Sequence, residues 1–192
     1  MKLDHRLLQG RFVRLEPLAE HHREGVRLAA EADQDIWQSL YPVSMIGEHF
    51  PPYWKQMMKL VADRATLPYA VMRDGLCVGC TSIMPDLPNL AAEIGGTYYR
   101  PDVRGGPLNP ECKRLLMSHC FEAGANRVSF KVDALNARSR AAVLKLGARQ
   151  DGILRAERIT WTGRVRDTVI FSVLAEEWPA IRDRLDTRLA RA

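Results

Sequence analysis

No stretch of this sequence approaches the roughly 18 consecutive apolar residues that a membrane-spanning helix requires, so the bilayer is not its expected solvent. The first residues carry Lys2, Asp4, His5 and Arg6 and include no apolar core of leader-peptide length, which makes a cytoplasmic location the expectation. Cysteine is scarce, with only Cys77, Cys80, Cys112 and Cys120. The pair in "LCVGCTSI" lies in a run that reads as a strand, where residues three apart point to opposite faces. No second Cys or His pair follows at zinc spacing, so plain buried thiols and no metal are expected. Nor is there a long block of one charge. The formal net charge of +5 comes from basic residues scattered along the chain, a mild preference for anionic ligands rather than a tract that grips nucleic acid. At the C-terminal end Arg182, Arg184, Arg188 and Arg191 are interleaved with Asp183 and Asp186, the pattern of a solvated helix.

What is present is ordinary globular composition, 46% hydrophobic and 27% charged, in a chain whose 192 residues fit one domain spanning 1–192. "RFVRLEPL" alternates apolar and charged residues and reads as a first strand. Helical pattern follows from Ala19 to about Leu40, interrupted near Asp33, and again from Glu48 to Arg64. "PYAVMRDGLCVGCTSI" is two apolar runs joined by Asp74-Gly75, a hairpin signal, and "AAEIGGTYY" is a further strand. The loop "YRPDVRGGPL" runs into a helix with Cys112, Leu115, Leu116, His119 and Cys120 on one face, Asn109 as N-cap and Gly124 as its stop. "RVSFKVD" alternates strictly, with Ser129, Lys131 and Asp133 opposite Val128, Phe130 and Val132. A short helix capped by Asn136 and ended at Gly147, two strands around Thr162-Gly163, and a last helix from Glu176 to about Leu189 complete an α/β arrangement with a mixed sheet.

The strand, Gly-rich loop and helix from Glu93 to Glu122 carry the chemistry, because a helix start behind glycines exposes amides and a partial positive charge that suit phosphate. The loop is neither a Walker sequence nor a G-x-G-x-x-G, which excludes a typical nucleotide triphosphatase. Three ordered motifs then stand out. They are the Arg-Gly loop with Asn-x-Glu-x-Lys (Arg104, Gly105, Asn109, Glu111, Lys113), the Asn-x-x-Ser with a later Gly (Asn136, Ser139, Gly147), and Gly-Arg-x-Arg-Asp-Thr (Gly163, Arg164, Arg166, Asp167, Thr168). With the strings around them they resemble the GNAT acyltransferase superfamily, specifically its RimJ/RimL branch, over essentially the whole chain.

That resemblance implies a sheet of about seven strands flanked by helices, splayed between the strand ending near Tyr99 and the strand starting near Arg127, with CoA in the V-shaped opening. It implies that backbone at Tyr98 and Tyr99 holds the pantetheine arm and acyl carbonyl, that Arg104, Gly105, Gly106, Leu108 and Asn109 surround the pyrophosphate, and that Asn136 reaches the pantetheine side. It places the acceptor pocket near Trp37 and Tyr41, although core packing explains Trp37 equally well. Two departures matter. Pro107 stands where the family has Gly or Ala and offers no amide hydrogen, and Val143 stands where many relatives have a Tyr acid.

Attack of an amine on a thioester needs a base, oxyanion donors and a proton for the thiolate. Glu93, on the same strand parity as Thr97 and Tyr99, is either the base acting through a water or an ion-paired strand carboxylate. Ser139 is the candidate proton donor, with helix hydrogen bonding as the plainer reading. Asp167 shares parity with Val165, Val169 and Phe171, a face that reads as buried, so it either binds the substrate amine or pairs with an Arg. The implied function is an N-acetyltransferase moving the acetyl group of acetyl-CoA to a primary amine, on a protein N-terminus or a small molecule. The alternatives are a non-catalytic acyl-CoA-binding module and a transferase using another acyl-CoA such as succinyl-CoA. A homodimer is the assembly that the resemblance brings with it; no membrane and no nucleic-acid partner are expected.

Overall fold

The computed structural model describes residues 1–192. In chain order its elements are β1 (Leu8–Gln9), β2 (Arg14–Pro17), α1 (Arg23–Glu31), α2 (Asp35–Ser39), α3 (Phe50–Ala62), β3 (Leu67–Arg73), β4 (Leu76–Asp86), β5 (Ala91–Tyr99), α4 (Leu108–Glu122), β6 (Arg127–Asp133), α5 (Ala137–Leu146), β7 (Arg149–Ile159), β8 (Val165–Leu174) and α6 (Trp178–Ala190). The strands form one mixed sheet in the order β1-β2-β3-β4-β5-β6-β8-β7. It has eight strands rather than about seven, the addition being the two-residue β1. The first strand proper begins at Arg14, not Arg11. Arg11, Phe12 and Val13 donate their amides to the buried Glu111 carboxylate at 2.8, 2.6 and 2.9 Å, so these donors are lost to any ladder.

Each face of the sheet has its own core. On one side α4, α5 and α6 cover a cluster that includes Ile94, Leu116, Val128, Phe171 and Ile181. On the other, α1, α2 and α3 bury Val26, Trp37, Phe50 and Trp54 against Ala70, Cys80 and Tyr98. This second layer sits on the N-terminal half of the sheet, and α1 packs on β4 and β5.

Two bulges alter which way side chains point. In β4 the register against β3 slips at Val78, so Cys77 and Cys80 pack on the same face instead of opposite ones. Both remain free thiols, and burial pushes Cys80 up to about 12, well away from thiolate chemistry. In β5 the register against β4 slips between Gly95 and Tyr98, where Gly96 adopts φ +57. Ala92 and Ile94 therefore share a face with Tyr99, while Tyr98 turns to the other core.

Candidate active site

Only β5 and β6 run parallel, and they pair from Ala91 opposite Arg127 to Glu93 opposite Ser129 and no further. Beyond that point β5 continues to Tyr99 and β6 to Asp133 without joining, which leaves a V between them. At its mouth lies the loop into α4. Gly105 and Gly106 are exposed, Gly105 at φ +83, and the amides of Gly105, Gly106, Leu108 and Asn109 meet no acceptor in the protein. Pro107, not Asn109, occupies the N-cap, and no side chain caps the helix. An uncapped helix start with several free amides facing open space fits an anionic group, and Pro107 removes one donor without closing the loop. Arg104 does a different job from the glycines. Its amide donates to Pro101, its Nε to the Tyr99 carbonyl at 2.8 Å and its Nη1 to Asp33 at 2.6 Å, so it ties the loop to the end of α1.

The wall formed by β5 is locked from behind. Lys113 of α4 is buried and donates to Thr97 Oγ1 at 2.6 Å and Thr81 Oγ1 at 3.2 Å, spanning the bulge from the helix side. Burial lowers its pKa to about 8, and no carboxylate is among the groups that act on it. From the front, Tyr41 donates its hydroxyl to the Thr97 carbonyl at 2.7 Å. The ring of Tyr41 lies 4.5 Å from that of Trp37, which in turn is 4.7 Å from that of Tyr98. Trp37 itself is fully buried with its Nε1 on the Ala30 carbonyl, so it is core behind Tyr41 and not a surface for substrate. The Tyr98 backbone lies opposite Cys80 in the β4 ladder, and the Tyr99 carbonyl is taken by Arg104.

The bulge also corrects the parity of Glu93. It shares a face with Tyr98 rather than with Thr97 and Tyr99, because one residue is inserted between them. On that face Glu93 pairs with Lys131 at 3.2 Å. A chain of charges continues across β6, β8 and β7 where no helix covers the sheet. Asp133 is buried, takes Arg164 in a short ion pair and has Arg166 at 3.8 Å. Arg166 donates to Thr168 at 3.0 Å, and Thr168 donates to Glu157 at 3.1 Å. The guanidinium of Arg158 holds the Glu157 carboxyl down at about 2, while burial lowers the pKa of Arg166. Sequence reasoning misses Asp133, Glu157 and Arg166 as site residues; the polar side of the alternating "RVSFKVD" is the available signal for the first.

Asp167 is exposed, contrary to the buried position inferred from its parity. The β7–β8 hairpin runs past the core here, leaving Val165 60% exposed, and Asp167 accepts the Ala156 amide at 2.7 Å across a bulge in β7. The tip of the same hairpin folds over the opening. Trp161 donates its amide to Pro42 at 3.1 Å and its Nε1 to the Trp37 carbonyl at 2.8 Å, and Arg164 reaches the Ser39 carbonyl at 3.2 Å. On the far wall Asn136 caps α5 by accepting the Ser139 amide at 3.0 Å, and the Ser139 hydroxyl makes no hydrogen bond. Val143 is buried. Away from the opening, Glu16, His21 and His22 bring ligand atoms within 4.8 Å of one another, but both His22 ring nitrogens are engaged, by the Ala19 amide and by Glu16.

A family profile for the acetyltransferase (GNAT) domain matches residues 13–149. Among curated proteins none matches the chain by sequence. A protein from T. thermophilus provisionally named an acetyltransferase is 33% identical, with 98% of this chain and 100% of that one covered and a TM-score of 0.86. A GCN5-related N-acetyltransferase from Brucella melitensis is 30% identical over 97% of this chain and 86% of its own, with a TM-score of 0.80. RimJ from Mycobacterium smegmatis, solved in complex with CoA-disulfide, is 23% identical over 92% of this chain and 88% of its own, and shares the fold with a TM-score of 0.79. With the profile matched from β2's approach to the start of β7, the chain belongs to the GNAT acetyltransferase family.

Proposed function

We propose that residues 1–192 act as one domain that transfers the acetyl group of acetyl-CoA to a primary amine, on a protein N-terminus or a small molecule. The observation that carries this reading is the V between β5 and β6 opening onto amides of Gly105, Gly106, Leu108 and Asn109 that no protein group satisfies. Those amides receive the pyrophosphate, and the edge of β5 at Tyr98 and Tyr99 that faces away from β4, where β6 has splayed off, lines the pantetheine arm together with the Asn136 wall. RimJ, which shares the fold, was solved with CoA-disulfide bound, and this supports CoA as the class of ligand. The amine enters over the uncovered polar face, where Glu93, steadied by Lys131, takes its proton through a water. Ser139 relays a water proton toward the sulfur from the far wall.

Calorimetric titration with CoA and acetyl-CoA at moderate salt tests this directly. Micromolar binding of either is the expected result, followed by amine-dependent thiol release from acetyl-CoA across a panel of peptides and small amines. An absence of binding up to millimolar CoA would remove the acetyl-CoA reading. Binding without thiol release for any amine would instead favour a non-catalytic acyl-CoA module, and faster release from succinyl-CoA would change the donor.

A further inference from the structure

We propose that Arg166 receives a carboxylate of the acceptor, so that the amine acetylated by this chain belongs to a molecule that also carries an acid group. The inference rests on the acetyl-CoA reading above and narrows its acceptor. Arg166 lies on β8 with only 5% of its surface exposed. Its Nε donates to Thr168 Oγ1 at 3.0 Å, while Nη1 and Nη2 find no acceptor in the protein and are not sealed from outside. Most of the N–H donors of a guanidinium are on those terminal nitrogens, and a polar group this deep ordinarily has its bonds made. The neighbouring carboxylates are already committed. Asp133 accepts the Leu135 amide at 3.0 Å and the Arg164 guanidinium, and comes no nearer to Arg166 than 3.8 Å. Glu157 is held by both arms of Arg158, at 2.6 and 2.9 Å, and by Thr168. Glu93 pairs with Lys131. In this patch Lys131, Arg158, Arg164 and Arg166 thus meet only Glu93, Asp133 and Glu157, and the cation left over is Arg166.

Its place suits the acceptor rather than the acyl donor. Counting on from the Glu93–Ser129 pair, and allowing for the residue inserted at the β5 bulge, Tyr98 stands level with Asp133 at the mouth of the V. Asp133 is opposite Thr168 in β8, so Arg166 lies one step further out, on the face that Glu93 and Tyr98 share. The helix α4, with the glycine loop at its start, packs on the opposite face, which leaves Arg166 out of the pyrophosphate cradle. Strand geometry puts the guanidinium on the order of 5–10 Å from the mouth. That span fits the separation of amine and acid in an ω-amino acid, or in the first residues of an acidic peptide. The planar fork of an arginine matches a carboxylate through paired N–H bonds, whereas a carboxamide in the same place offers a weaker acceptor and no charge.

The test follows the ratio between matched acceptors, which a purely structural arginine would not move. ω-Amino acids of increasing length, each beside its carboxamide, and alanyl-aspartate amide beside alanyl-asparagine amide, are assayed by thiol release from acetyl-CoA. In the wild type the acid member of a pair is expected to have a kcat/KM about 10- to 100-fold above that of its amide. The series in which this holds tells a free amino acid from an acidic peptide. Arg166→Gln is expected to bring the ratio to about one while the KM for acetyl-CoA stays within about threefold. Should Arg166→Gln fail to fold, Arg166→Lys keeps the charge beside Asp133 but lacks the fork, and the ratio should drop about tenfold. If no amine of the panel is turned over, calorimetry of the CoA-loaded protein with the N-acetyl product of each member reads the same ratio. A wild-type ratio near unity, no binding of any acid product, or a full ratio kept in the variants would overturn the role of Arg166 alone. Failure of the wild type to bind CoA would overturn the acetyl-CoA reading and this assignment with it.

Discussion

Two helices begin beside the opening, and their first turns are treated in opposite ways. α5 starts under Asn136, whose side chain accepts the Ser139 amide, and it stops at Gly147. α4 starts under Pro107 with no side-chain cap, leaves the amides around it without protein acceptors, and buries the ammonium of Lys113 further along. A side-chain cap is worth about 1 kcal/mol, and a buried charge without a counter-charge costs stability. α5 is therefore a helix whose first turn is satisfied by its own sequence, whereas α4 leaves donors at its first turn unsatisfied by the protein, as the proposed anion site requires. The difference teaches where this chain accepts instability: at the helix behind the glycine loop, not at its neighbour across the V.

The strongest way to sharpen that contrast is to remove the charge from α4. The folded pKa of Lys113 is lowered from 10.5 to about 8, so between those values the unfolded chain holds a proton that the folded chain has released. Below about pH 8 Lys113 is charged in both states and its burden is full; the burden is relieved as pH rises toward 10.5. Urea unfolding of the wild type and Lys113→Met across this window should show the wild type gaining up to about 3 kcal/mol relative to the variant. A difference that stays flat with pH would mean that Lys113 is not strained by burial, and the contrast between the helices would weaken. Next in size is the paired substitution Gly105→Ala and Gly106→Ala. Open space surrounds both positions, but only Gly105 has positive φ, so it alone should lose about 1 to 2 kcal/mol of stability and roughly tenfold in CoA affinity. Equal effects at the two sites would show that loop shape is not what the glycine supplies. The smallest effect is expected at Asn136→Ala, about 1 kcal/mol in urea unfolding from the lost cap. If CoA affinity falls as well, Asn136 serves both the helix and the ligand, and the separation of roles becomes less clean.

Much of this arrangement is legible in the sequence because it is encoded locally. Asp74 and Gly75 make the β3–β4 turn at φ 51 and 77, Asn136 and Gly147 bound α5, and Gly105 and Gly106 mark the loop. What escapes is anything decided between strands. A bulge inserts one residue and reverses every later parity, and nothing in the alternation of "LCVGC" or "EIGGTYY" announces where the partner strand will slip. For this one reason simple alternation separates Cys77 from Cys80 and joins Glu93 to Thr97, each wrongly. Asp167 fails differently: its strand outlasts the core, so correct parity no longer means burial. On α4 the periodic apolar residues are evident, but Glu111, Lys113 and His119 are buried too. Helical periodicity finds one apolar face, whereas here the N-terminal segment and α6 also close over the helix.

The hairpin tip that crosses the opening gives the chain an order of assembly. Its tie from Trp161 to Trp37 joins residues 124 apart, whereas the loop at Gly105 and Gly106 follows directly from the strand that precedes it. Contacts between distant residues close late, since the intervening chain must be gathered first. During synthesis the glycine loop therefore has all its residues well before the hairpin tip that ties Trp161 to Trp37 exists. The tip arrives only with the C-terminal strands, so a growing chain completes the open loop before it gains the hairpin that bridges the end of β6 to the segment after α2.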